Sequence, residues 1–369
     1  MGNTVAIRQV PLSFVTLYAD LAQNVRSSSL EHGSVVTRKR RGRDYLYVVS
    51  KDGAERSERY LGPADDPIAA GAAEQLRHAA VQAKALRTTV SALKQARFPS
   101  PALPLGRVLE TIANAGLFER GVVLVGTAAC QTYSCIVGHY LPSSALMTND
   151  ADILVASLVA GDEPTDLETI LKRADPTFRA HMSRDDQLPK VFKAANGFQV
   201  DVLTKYGRGR KSPVLVEELK CAAEALTFME YLAEESIEAV ALYGTGVLVR
   251  VPPPMRYAIH KLLIAQERRG LTLAKKQKDL NQARDLLDIF MDTESGALED
   301  ALEEARARGP SWKKNINASL REIDRIARRT RLPIPLPSTP KAKPQVVKKR
   351  AAKKAAKKAP PKKGRRSRA

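Results

Sequence analysis

The chain has 369 residues, 44% of them hydrophobic, enough to build more than one buried core. Sixty Lys and Arg oppose 40 Asp and Glu, but 14 of the basic residues lie between positions 341 and 368 with no acidic one, which leaves 46 against 40 elsewhere. Three cysteines without a CxxC pair argue against a disulfide framework or a zinc ribbon, and no run of about 18 apolar residues marks a membrane span.

A cytoplasmic, reducing compartment is the expectation, with nucleoid association through the basic tail. The first residues lack the basic start, apolar middle and small-residue cleavage site of a secretory leader. Residues 12–25 place Leu12, Val15, Leu17, Leu21 and Val25 at roughly helical spacing. Residues 35–40, 44–49 and 55–61 then read as three short antiparallel strands with turn chemistry between them. Arg38, Lys39, Arg40, Arg41 and Arg43 crowd one end, beside Tyr45, Tyr47 and Tyr60. Cations meet phosphates and rings stack on bases, so this patch suits nucleic acid. The alternative is a solvated hairpin whose tyrosines pack on a neighbouring part of the chain.

Residues 69–98 hold no glycine after Gly71 and no proline, and predict one long connecting helix or arm. Pro99, Pro101 and Pro104 end it, and residues 105–116 predict the next helix. Val122 to Val125 is a short apolar run suited to a buried strand. Gly126-Thr127 ends that strand, and a helix follows over 128–137. Glycine lets backbone approach a ligand closely, and a helix N-terminus offers free N–H groups to an anion.

Twenty-two residues separate Thr127 from Asp150-Ala151-Asp152, which leads into Ile153-Leu154-Val155. Alternate strand residues share a face, so Asp150 and Asp152 point the same way. Two such carboxylates repel unless a cation sits between them, and hard divalent ions take oxygen ligands of this kind. Residues 191–203 are two strand-like runs around Asn196-Gly197, a hairpin signal, and Asp201 lies on the second run between Val200 and Val202.

The order of Gly-Thr turn, Asp-x-Asp and a later strand aspartate resembles the nucleotidyltransferase superfamily typified by DNA polymerase beta, over residues 122–203. The longer spacing between turn and carboxylates is similar to that of a bacterial group of uncharacterised nucleotidyltransferase-fold proteins. The resemblance implies that Asp150, Asp152 and Asp201 are catalytic and hold Mg²⁺ (or Mn²⁺), and that Gly126 and Thr127 bind the triphosphate. It implies two-metal chemistry, in which an NMP moves from an NTP to a hydroxyl of an RNA, protein or small-molecule acceptor. The extra spacing predicts a longer helix and a loop through Leu141-Pro142-Ser143-Ser144.

Residues 207–211 form a basic loop, either a guide for a polyanion or an ordinary solvated loop. Residues 237–243 and 247–251 read as strands around Gly244-Thr245-Gly246, a hairpin turn more than a nucleotide loop. Pro252-Pro253-Pro254 starts a helix over 255–269, and a second follows over 275–291. Pro-x-x-x-Ala-x-His-Lys-Leu-Leu, Arg268-Arg269 and Lys278-Asp279-Leu280 resemble the helical half of type IV abortive-infection nucleotidyltransferase toxins. That resemblance implies nucleotide binding by Lys261, support by Asp279, and an antitoxin partner. The alternatives are a surface lysine and a helix-surface charge. Two further helices span 294–308 and 311–328, with Trp312 between them.

The tail from 331 holds Lys, Ala and Pro without aromatics and repeats a Lys-Lys-Ala-Ala unit, as in histone-H1-like bacterial proteins. It predicts a disordered, sequence-indifferent nucleic-acid-binding segment, or one that only solubilises. The histidines are scattered, and there is no Walker A or GxGxxG sequence, so kinase and dehydrogenase readings find no support.

The expectation is therefore an α/β (α+β) nucleotidyltransferase fold with a mixed β-sheet, an N-terminal β-rich module and a C-terminal helical domain. Its parts are a helix and basic hairpin module (1–65), a connecting helix (66–103), a catalytic domain (104–252), a helical domain (253–330) and the tail (331–369). The rival is a non-catalytic nucleic-acid-binding protein on a degenerate scaffold of the same fold.

Overall fold

A computed structural model describes residues 7–27, 34–52, 55–145, 148–159, 166–182, 188–206 and 213–331. Contacts divide the chain into Met1–Thr330 and Arg331–Ala369. The expectations for the basic loop at 207–211 and for the tail lie outside the described residues.

The N-terminal part runs β1 (Arg8–Gln9), α1 (Leu12–Ser27), β2 (Ser34–Arg40), β3 (Arg43–Asp52), β4 (Glu55–Pro63) and α2 (Pro67–Gln95). The strands form an antiparallel sheet in the order β2-β3-β4. Asp66 caps α2 by accepting from the Ile68 and Ala69 amides, and Pro67 occupies the first turn, where its missing N–H costs nothing. The predicted arm is packed along its length. Leu46 of the sheet meets Ala69 and Ala73 at its start, and Leu86, Val90 and Leu93 share a core with Tyr18 and Leu21 of α1.

Next come α3 (Leu103–Asn114), β5 (Val122–Val125), α4 (Gly126–Ile136), β6 (His139–Tyr140) and β7 (Asp150–Val155). They lead to α5 (Leu167–Ala174), β8 (Arg179–His181), β9 (Val191–Lys193), β10 (Gln199–Lys205), β11 (Val214–Val216), β12 (Cys221–Leu226) and α6 (Met229–Ala233). The main sheet has the order β11-β12-β10-β7-β5, with β9 pairing the first residues of β10, ahead of its pairing with β12, and β8 beyond β9. β10 runs parallel to β7 and β12, while β5, β9 and β11 run antiparallel to their neighbours, so the sheet is mixed. The predicted hairpin forms at β9–β10, and Gly197 takes the left-handed φ of +83° that the turn requires. The long spacing before β7 is filled by α4, by β6, which pairs with β1, and by a 3-10 turn at Pro142–Ala145.

Ala151, Ile153, Val155, Val200 and Val202 point to one face of this sheet and join the largest core. Leu154 and Leu203 point to the other, beneath Met229 and Leu232 of α6. β13 (Ile237–Ala241) and β14 (Val247–Val251) form a separate hairpin, so the Gly-Thr-Gly between them is a turn.

The helical part contains α7 (Pro254–Ala265), α8 (Leu273–Thr293), α9 (Ser295–Ala307) and α10 (Pro310–Arg331). α7 stops four residues short of the expected Arg269. The chain turns there, through Gly270 into a short 3-10 segment, and brings Arg268 back toward α8. Trp312 meets Phe228 and Tyr231 edge-on, so it joins α10 to the sheet side of the molecule instead of bridging α9 and α10 alone. No helix among the described residues is long and apolar enough to cross a membrane.

Candidate active site

Strand register assembles the carboxylates. Asp150 and Asp152 share a face of β7 through its two-residue period, and Asp152 stands directly beside Asp201 of the parallel neighbour β10. All three line one cavity of about 510 Å³. The Asp152 carboxyl is pushed up to about 6, first by burial and then by Asp150 and Asp201. Asp201 is raised too, by burial above all, with Asp150 adding to it and hydrogen bonds from Gln199 opposing. Asp150 accepts from the Thr148 hydroxyl.

This is a set of hard oxygen donors whose mutual repulsion a divalent cation would relieve, and in that sense the residues fit Mg²⁺ or Mn²⁺. The side chains are not closed around an ion position. Among the described residues no three Asp, Glu, His or Cys side chains are gathered into a ligand cluster. The Gln199 amide nitrogen holds both Asp201 oxygens, at 2.6 and 2.7 Å.

Gly126 faces the carboxylates from the start of α4. Its φ is +67°, and a Cβ placed there would lie 2.1 Å from an Asp152 oxygen, so only glycine lets the turn pass this close. Gly126→Ala is expected to lower stability by about 1–3 kcal/mol through strain and to displace Asp152. Thermal unfolding and a transfer assay would check both, and an unchanged melting temperature would contradict the close approach. Thr127, the other residue of the expected triphosphate turn, is buried in the first turn of α4 and does not line the cavity.

Lys261 and Asp279, expected from the helical half, are brought together and are neither surface charges nor unpaired. Lys261 Nζ donates to one Asp279 oxygen at 2.8 Å, and Arg268 Nε donates to the other at 2.9 Å. Burial by itself would raise Asp279, but the two cations outweigh it and hold the carboxyl below its ordinary range. Lys261 still lines the cavity, with its ammonium 5.1 Å from the centre of the Tyr257 ring.

Further residues join the expected set at the site. The Tyr257 hydroxyl donates to the Gly126 carbonyl at 2.9 Å, which ties α7 to the turn. Lys190 pairs with Glu224 at 2.5 Å on the cavity wall, and Lys275 adds an exposed cation whose field partly opposes the upward shifts of Asp152 and Asp201. Leu226, Met229, Leu232 and Ile264 make part of the wall apolar. His260 also lines it, with both ring nitrogens buried and unpartnered and its pKa driven down to about 3 by burial, so the imidazole is neutral. Two of these had a local signal: Lys275 as a basic residue in the first turn of a predicted helix, and His260 as the neighbour of Lys261, which could line the cleft or serve the structure. Tyr257 and Glu224 acquire their positions from contacts between distant segments.

A mixed sheet whose central pair of parallel strands presents three aspartates toward a glycine turn and a helical cap defines a nucleotidyltransferase-type protein. A family described as Nucleotidyltransferase matches residues 104–307, more than half of the chain, and the chain belongs to that family. The match runs from α3 to the end of α9 and so takes in the sheet, the cavity and the ion pair on α7 and α8. No curated protein and no solved structure matches the chain.

Proposed function

We propose that the chain transfers an NMP from an NTP to a hydroxyl of an RNA, protein or small-molecule acceptor, with Asp150, Asp152 and Asp201 holding Mg²⁺ or Mn²⁺. The observation that carries this reading is the shared face of Asp150, Asp152 and Asp201 on β7 and β10 at the wall of one cavity. A divalent cation bound there neutralises phosphate charge and acidifies the acceptor hydroxyl. The chain's own residues supply the rest. The turn at Gly126 directs the α4 N-terminus, with its free N–H groups, toward the phosphates. Lys275 attracts the polyphosphate from the rim. Asp201, which an amide holds ready at one side of the cavity, accepts the proton of the acceptor hydroxyl. The Lys261–Asp279–Arg268 cluster fixes α7 against α8, so that Lys261, backed by the buried Tyr257 ring, faces the nucleotide from a rigid wall.

The test is incubation of the purified protein with each labelled NTP, Mg²⁺ and total cell RNA or protein. Label appearing in an acceptor, and missing when Mg²⁺ is chelated, supports the reading; no labelled acceptor with any NTP overturns it.

The tail carries a separate expectation. Its paired lysines should bind nucleic acid by counterion release, without reading sequence. Deleting residues 341–369 is expected to leave transfer to a short acceptor nearly intact, to reduce retention on nucleic acid at low salt and to flatten the salt slope. Equal affinity and slope for the truncated chain would contradict it.

A further inference from the structure

The sheet β2-β3-β4 lies outside the region that the family match covers, and its two faces differ. Leu46 and Val48 are buried on one face, where α2 lies across the sheet. The opposite face carries Tyr45 and Tyr47 of β3. Arg38 pairs with Tyr45 across the β2 edge, Arg40 pairs with Arg43, and Tyr60 pairs with Tyr47 across the β4 edge. The rings form one group: Tyr60 lies 6.2 Å from Tyr45 and 5.3 Å from Tyr47, centre to centre. The Arg38 and Arg40 guanidinium carbons stand 5.9 and 6.0 Å from the centre of Tyr47.

Neither a core role nor a purely electrostatic one accounts for this. Tyr60 is 52% exposed, and Tyr45 and Tyr47 are only half-buried, so the rings are not closed into a core. Exposed tyrosines gathered on one sheet face keep apolar area in water, and a flat, polar-edged ring system is one group that would cover it by stacking. The charge indicates its sign. Residues 34–63 contain eight Lys and Arg against four Asp and Glu, and five of the eight sit at the tip between 38 and 43. Glu58 and Asp65 pair with Arg38 and Arg43, while Arg40 is exposed beside the rings. Unstacked bases present flat faces to rings while their phosphates meet arginines, whereas a duplex hides its base faces.

We propose that this face is a stacking platform for single-stranded nucleic acid, with bases on Tyr45, Tyr47 and Tyr60 and phosphate on Arg40. Binding there needs no turnover, so the platform and the transfer chemistry stand or fall separately. It also differs from the tail in kind, because lysines that read only phosphate density bind a duplex as readily as a single strand.

The experiment uses the full chain and a fluorescent oligouridylate of about 12 nucleotides, compared with a duplex of the same length. Salt is set near 0.2 M, where the Debye length is short and the tail's contribution is damped. Tyr47→Ala with Tyr60→Ala is expected to weaken single-strand binding about ten-fold per ring and to leave duplex binding at the wild-type level. Tyr47→Phe with Tyr60→Phe, which keeps the rings, is expected to bind like wild type. Arg40→Glu, at an exposed position outside the core, is expected to cost about ten-fold in single-strand affinity and decides the matter if the alanine pair misfolds. The platform is overturned if a folded alanine pair binds the single strand at full strength, if it loses single strand and duplex in equal proportion, or if Arg40→Glu changes nothing.

Discussion

Asp152→Asn is expected to reduce nucleotidyl transfer by about a thousand-fold or more while raising the stability of the metal-free protein. The loss follows from the several kcal/mol that a correctly held divalent ion contributes to stabilising phosphoryl-transfer charge. The gain follows from the carboxyl itself. Its folded pKa is about 6 against an ordinary 3.8, so between those values the folded chain binds more protons than the unfolded one. Stability therefore falls as pH rises through that window, and the penalty stays constant above it. The full difference amounts to on the order of 2–3 kcal/mol. Asparagine cannot ionise, so thermal unfolding in chelator should show wild type losing stability relative to the variant from pH 4 to pH 6. Adding Mg²⁺ at pH 7 should restore wild type and leave the variant unmoved. A variant that transfers at the wild-type rate would remove Asp152 from the site, and parallel pH profiles would remove the charge repulsion.

Lys261→Ala has the second largest expected effect, and it falls on folding before binding. The sequence alone suggests a lysine that reaches triphosphate, whose loss weakens nucleotide affinity more than stability. In the structure Lys261 is 5% exposed and Asp279 is 2% exposed. Removing the lysine leaves a buried carboxylate with Arg268 as its remaining partner, and breaking a buried pair costs about 3–5 kcal/mol. The expected result is a large drop in denaturation midpoint, with nucleotide affinity measured by calorimetry at a temperature where the variant is folded. Lys261→Met combined with Asp279→Leu removes both charges and should recover part of the loss, because neither partner is then stranded. A single variant as stable as wild type would place Lys261 outside the buried pair.

Much of the fold was legible because its signals are short-range. Apolar runs, glycine and proline punctuation and helical spacing located the three N-terminal strands, the long helix after them, the strand before Gly126, the hairpin at Asn196-Gly197 and the helices of the C-terminal half. The sequence pattern alone does not divide residues 156–190 and 212–236 into elements, although the structure forms α5, β8, β11, β12 and α6 there. Cys221-Ala222-Ala223-Glu224-Ala225-Leu226 shows why. Its alanines, glutamate and leucine favour a helix, yet the segment forms β12, because a buried slot beside β10 takes its small side chains and offers backbone partners.

The sequence by itself determined that Asp150 and Asp152 share a face, since the strand period is local, and that the backbone turns at Gly126. The tertiary structure decided the rest of the site. The placement of Asp201 beside Asp152 depends on the register of two strands far apart in the chain, and burial of Ile153, Val200 and Val202 on the opposite face sets that register. It decided that Lys261 and Asp279 are a buried pair and that Thr127 turns away from the cavity. It also left the tyrosines of β3 and β4 uncovered, because α2 packs on the other side. No local pattern encodes which distant segments meet; that follows only from how the buried faces are satisfied together.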